Sequence, residues 1–223
     1  MVSRSRARSD HAKAERRAEI LAATLDLWQE QRYEVLTLQA VAQKVGLTKA
    51  ALYGYYATKE SLFLHLYETQ VAEFLQQLHR HLNLGGIHTP ASLGVLVGTL
   101  LAERPALTRL LPHLAGVLER NISEERAAEH KRWLLRQLVP VAALLEGRLP
   151  GLGPGGGVRL LTYTQALAAG LYPMADPAPA VTRALADPSL APLCVTFVPA
   201  LEDALVCLYA GLSTPHRGTP HGR

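Results

Sequence analysis

The residues best equipped for chemistry in this chain are spaced wrongly for catalysis. His79 and His81 stand two apart, which sends them to different faces of a helix, whereas a helical zinc pair needs a spacing of four. His216 and His221 lie near the C-terminal end. The two cysteines, Cys194 and Cys207, have no metal-ligand spacing and read as small buried hydrophobes. The segment "GPGGG", Gly153 to Gly157, lacks both a preceding strand and the following Lys-Ser/Thr of a phosphate loop, and no nucleophile elbow is present. These residues predict no enzyme, no cofactor and no metal.

A different chemistry, the gripping of a polyanion, fits better. In "GLTKAALYGYYATKESLF", Gly46 to Phe63, three tyrosines and a glycine fill four consecutive positions, an odd choice for a buried helix. With Leu52 turned toward a core, Ala50 and Gly54 point outward, flanked by Ala51 and Tyr53. Small outward residues let a backbone sit close to its partner. In a major groove alanine methyls meet thymine methyls, while Lys49 and Tyr53 reach base edges or phosphates. Gly54 weakens a helix by roughly 1 kcal/mol, so close approach or helix termination must explain it. Thr37 and Thr48 can cap two helix N-termini, which favour phosphate, and Lys59 opens the next helix as a further phosphate contact.

Charge points the same way. Residues 1–17 hold six of the 23 basic residues, including Arg4, Arg6 and Arg8, and two of the 19 acids. The remaining 17 and 17 cancel, so the whole formal excess of +4 sits at the N-terminus. Such an arm either stays solvated or grips a polyanion.

The elements that must position these side chains are short helices. In "LQAVAQKVGLTKAALYGYY", residues 38–56, Ala42 is small enough for two steeply crossing helices. Gly46 permits the positive φ of the turn, and Val41, Val45, Leu47, Leu52 and Tyr56 can build the small core. The pattern is a helix-turn-helix, with an ordinary helical hairpin as the alternative. At these residues the chain resembles the DNA-binding domain of the tetracycline-repressor (TetR) family of bacterial transcription regulators. The resemblance runs from Ala18 to Tyr67. It rests on Thr37, Gly46-Leu47-Thr48, Leu52-Tyr53, Tyr55-Tyr56 and Lys59-Glu60. It implies DNA contacts for Thr37, Thr48, Lys49, Tyr53, Tyr55 and Lys59, and core roles for Leu52 and Tyr56. Two positions depart from the family pattern. Arg32 stands where glycine usually ends the first helix, and Ala50 replaces a frequent glycine.

Helical spacing dominates the rest of the chain, and an all-α fold is expected. All 14 prolines and 15 of the 17 glycines lie beyond residue 60. The expected division is therefore a basic arm and three-helix DNA-binding domain over 1–60, a larger helical regulatory and dimerisation domain over 61–212, and a disordered tail over 213–223. A continuous helix near 59–83 should join the parts. Further helices are expected after Thr89 and Pro105, from Ser123 with a kink at Pro140, near 157–173 and near 196–212.

The last two helices carry Leu160, Leu161, Leu167, Leu171, Leu201, Leu205, Leu208 and Leu212, more than one face needs. The resemblance makes them an intersubunit four-helix bundle of a homodimer, against ordinary intrachain core. It also implies an effector pocket. The scarce aromatic and polar residues of the aliphatic region are candidates for it: Tyr67, His113, Asn121, Trp133, Tyr163, Tyr172 and Met174. Few acids fall within these helices, which favours a largely apolar effector over a cation.

No apolar run is long enough to span a bilayer and no secretory signal pattern opens the chain, so a cytoplasmic location is expected. The partners expected are a pseudo-palindromic double-stranded operator, a small effector and a second copy of the chain. A ligand-released repressor is the leading reading. An activator, an architectural DNA-binding protein without effector control, and an enzyme carrying an incidental hairpin are the alternatives.

Overall fold

The computed structural model describes the backbone of residues 2–214 and the side chains of residues 11–214. Every regular element among them is helical. The chain divides into two compact units. The first holds the described residues through Gln70 together with His113–Ala127, and the second holds Val71–Pro112 and the chain from Ala128 onward.

In the first unit, α1 (Val2–Glu30) buries Ile20, Ala23, Thr24 and Trp28. The Thr24 hydroxyl donates to the Ile20 carbonyl at 2.7 Å, which satisfies it inside the core. The helix reaches back into the basic arm, where the side chains of Arg4, Arg6 and Arg8 lie outside the described residues. Arg32 does not take a left-handed conformation, because no described non-glycine residue has positive φ. The chain instead leaves α1 through a turn in which Val35 and Leu36 both donate to the Arg32 carbonyl, at 3.3 and 3.2 Å.

α2 (Leu38–Lys44) and α3 (Lys49–Tyr53) follow, each capped by a threonine oxygen. Thr37 accepts from the Ala40 amide and Thr48 from the Ala51 amide, both at 3.1 Å. Gly46 sits at φ 66° in the turn, and Leu47 donates back to Ala42 at 2.8 Å. α4 (Lys59–Asn83) begins with Thr58 and Ser61 exchanging side-chain and backbone hydrogen bonds. Its first turns bury Leu62, Phe63, Leu64, Leu66 and Tyr67. The strip His113–Ala127 completes this unit with a π-helical stretch (Leu114–Leu118) and a 3-10 turn (Glu119–Asn121). His113 lies 5.9 Å from the ring of Trp28 and 5.1 Å from that of Tyr33, and Phe63 meets both of those rings edge-on.

The second unit contains the rest of α4, α5 (Pro90–Ala102), α6 (Pro105–Leu110), most of α7 (Glu124–Arg148), α8 (Gly156–Ala175), α9 (Pro179–Ala184) and α10 (Phe197–Ser213). Thr89 and Ser92 form a capping box across the first turn of α5, with Pro90 between them. α10 packs on α5 and α8. A Cβ at Gly94 would stand 2.9 Å from Val206, and one at Gly98 would stand 2.4 Å from Glu202, so these glycines allow the close approach. Leu201, Leu205 and Tyr209 are wholly buried, with the Tyr209 hydroxyl 2.8 Å from that of Thr164.

Several details depart from the sequence reading. α9 and the 3-10 turn Pro188–Leu193 were not anticipated. Cys194 and Cys207, expected to be buried, are both exposed. Cys194 ends the 3-10 turn, and Cys207 lies off the stripe through which α10 buries Leu201, Leu205 and Tyr209. Of the tail expected over 213–223, Ser213 belongs to α10 and Thr214 caps it, while the chain from residue 215 onward lies outside the described residues.

Candidate nucleic-acid interface

α3 is a five-residue helix whose only buried side chain is Leu52. Thr48, Lys49, Ala50, Ala51, Tyr53 and Gly54 are all exposed, while Leu52 and Tyr56 are 0% and 5% exposed. The two buried residues fix the helix and leave the rest of its surface open. The Lys49 ammonium lies 5.8 Å from the Tyr53 ring centroid, a weak attraction that keeps both side chains on one patch. Gly54 ends α3 with φ −67°, a conformation open to any residue, and donates to Ala51 at 3.2 Å.

Thr37 is exposed at the start of α2, and Tyr55 is half-buried beyond α3. Lys59 is half-buried too, with its ammonium donating to the Tyr33 carbonyl and lying 3.9 Å from the Tyr33 ring centroid. Burial holds its pKa below the ordinary lysine value, and the neighbouring carboxylates of Glu60 and Glu34 oppose the shift.

Behind this surface lies a polar line that sequence spacing did not reveal. The Tyr56 hydroxyl is 2.6 Å from His65 Nδ1. Burial pushes the phenol up to about 12, so it stays protonated and can donate to the ring nitrogen. Burial also lowers the pKa of His65, with Glu68 opposing the shift. One turn along α4, Glu68 accepts from Arg126 at 2.7 Å. These partners are 9 and 58 residues apart in sequence, beyond the reach of any local pattern.

The seven pocket candidates divide between the units. Tyr67, His113 and Asn121 belong to the first. Tyr67 is buried, its phenol raised by desolvation; His113 joins the aromatic cluster; exposed Asn121 donates to the Val117 carbonyl at 2.8 Å. Trp133, Tyr163, Tyr172 and Met174 belong to the second. Trp133 stacks on buried His130 and Tyr172 meets Phe197 edge-on at 5.3 Å, whereas Tyr163 and Met174 are exposed. Among the described residues no group of three or more His, Cys, Asp or Glu could hold a metal, and no helix is long and apolar enough to cross a membrane.

Two family profiles cover most of the chain. The profile for bacterial regulatory proteins of the tetR family matches residues 20–66, and that for the tetracyclin repressor-like C-terminal domain matches residues 68–216. No curated protein matches by sequence. Among solved structures, FadR from Thermus thermophilus, a TetR-family repressor in complex with lauroyl-CoA, aligns with TM-score 0.57 at 16% identity over 93% of this chain and 100% of its own. A transcriptional regulator from Rhodococcus sp. Rha1 aligns with TM-score 0.54 at 23% identity, over 88% of this chain and 95% of that one. A TetR/AcrR-family regulator from Thermobifida fusca gives 0.50 at 21%, over 92% and 100%.

Proposed function

Because this chain belongs to the tetR family of bacterial regulatory proteins, and so is a DNA-binding transcriptional regulator, we propose that it is a homodimeric repressor released by a small, largely apolar effector. The open face of α3 carries the reading. Lys49 and Tyr53 reach base edges, Ala50 and Ala51 lie against thymine methyls, and the capped ends at Thr37 and Thr48 take phosphates. Tyr55 and the arm residues Arg4, Arg6 and Arg8 extend the contact along the duplex. The protein acts in the cytoplasm and carries out no catalysis.

The dimer forms through α8 and α10. Their leucines fall into two sets, and this supports the reading. Leu160, Leu161, Leu201 and Leu205 are buried within the protomer, whereas Leu167, Leu171, Leu208 and Leu212 remain partly exposed. A second copy would cover the latter set. Two heads then meet a pseudo-palindromic operator at half-sites roughly 34–36 Å apart. An effector that favours another separation weakens DNA binding by the same coupling free energy that DNA exerts on effector binding. Half-buried Trp133 and Tyr172 are the best placed of the aromatic candidates to line an effector site in the second unit. The lauroyl-CoA bound by the Thermus thermophilus repressor makes acyl chains the first class to try.

Gel retardation of the DNA upstream of the gene, repeated with lauroyl-CoA, free fatty acids and small organic cations, tests the reading. Retardation relieved by the lipophilic compounds is expected. Absence of retardation would remove the regulator, release by cations alone would remove the apolar effector, and indifference to the whole panel would favour the architectural alternative. Lys49→Ala should weaken binding to the retarded duplex and relax its base preference, at a cost of about 1–3 kcal/mol if Lys49 reads guanine.

A further inference from the structure

Lys59 and Glu60 open α4 and hold the same tyrosine at two ends. The Lys59 ammonium donates to the main-chain carbonyl of Tyr33 and lies over its ring, 3.9 Å from the centroid. The Glu60 carboxylate accepts from the Tyr33 hydroxyl at 3.1 Å. Phe63 meets the ring edge-on at 4.9 Å and His113 stacks on it at 5.1 Å, leaving Tyr33 8% exposed. Tyr33 stands in the turn that joins α1 to α2, four residues before the cap Thr37. Its carbonyl belongs to neither helix, so Lys59 supplies a donor that the turn itself does not.

We infer that Lys59 is a positioning residue: it clamps the Tyr33 turn onto α4, and so sets the height and tilt at which the Thr37 end of α2 meets DNA, rather than serving as a phosphate ligand. The inference rests on the reading of α2 and α3 as the DNA-contacting surface. The carbonyl and the ring face already hold the ammonium, so a phosphate must either share its remaining N–H donors or draw it from the ring and break the charge-assisted bond. Cation–π attraction and that bond act together to keep the side chain home. Its depressed pKa agrees with an ammonium withdrawn from water.

Counterion release separates the two roles. Each phosphate neutralised contributes about 0.9 to the slope of log affinity against log salt, whereas a residue acting through Tyr33 contributes none. The experiment uses the full chain, a duplex recovered by selection from random DNA with the wild-type protein, and a scrambled duplex, each titrated at several salt concentrations. Lys59→Met keeps the stem and removes the charge. It should lose roughly tenfold on the selected duplex and much less on the scrambled one, with the slope of the wild type, because altered presentation costs specific contacts first. Lys59→Arg, which retains charge and ring contact, should recover most of that loss. Tyr33→Leu, with Lys59 intact, should reproduce the loss of selectivity, and it serves in place of Lys59→Met if that variant does not fold. Equal losses on both duplexes with a slope reduced by about 0.9 would make Lys59 a phosphate ligand. Unchanged affinity and selectivity in both variants would overturn the clamp as well. A wild-type chain that selects no duplex removes the DNA reading itself. A selected duplex whose binding depends on Lys49 but not on Tyr33 removes only the clamp.

Discussion

Tyr56 and His65 join the end of the α3 segment to α4 through one 2.6 Å hydrogen bond, and that bond has a pH dependence. Burial favours the neutral imidazole in the folded chain, against an unfolded value of 6.5. Below that pH the unfolded chain takes up the proton first. The stability is therefore complete above about pH 6.5 and declines as acid carries the solution down through the lower folded value. The melting temperature of the wild type should fall between pH 7 and pH 5, and a His65→Gln variant should show a shallower fall in that window. A parallel fall in both proteins would assign the loss to other groups. Local residues such as Thr37, Gly46 and Thr48 were legible in the sequence because each acts within three or four positions of itself. His65 and Arg126 were not, because nothing in their neighbours announces a partner brought by the fold.

At the scale of elements, helix starts were easier to read than helix contacts. Caps at Thr37, Thr48 and Thr89 set boundaries that the structure keeps, since an N-cap oxygen and a proline at the first turn act on their own helix. Close approaches depend on the partner. Gly157 at the start of α8 would place a Cβ 2.3 Å from the Ala142 carbonyl oxygen and 2.6 Å from its Cα, against backbone that cannot swing aside. Gly157→Ala should cost about 3 kcal/mol, seen as a drop of several degrees in thermal denaturation. Gly147, within α7, has open space around its Cβ, and Gly147→Ala should instead gain up to about 1 kcal/mol. Loss of stability in the second variant comparable to the first would show that the loop between α7 and α8, not the contact, governs both. The short α9 is not legible in the sequence, because six residues opening on a proline carry too little periodicity to register.

At the scale of the whole molecule, the proposed dimer is tested at the partly exposed leucines of α8 and α10. Leu167→Glu with Leu208→Glu should give a folded monomer by sedimentation, with helix content retained and operator affinity reduced by at least two orders of magnitude, since one head then binds without its neighbour. A dimer that survives both changes would place the interface elsewhere. The head itself is discontinuous in sequence. Its aromatic cluster borrows His113, and Glu68 takes its partner Arg126 from the same distant strip. A single genetic crossover just after Tyr67 would therefore deliver a head without the strip it was packed against. Head and strip must be inherited together, so exchanging the DNA specificity of this regulator requires two cuts in the gene where the linear order suggests one.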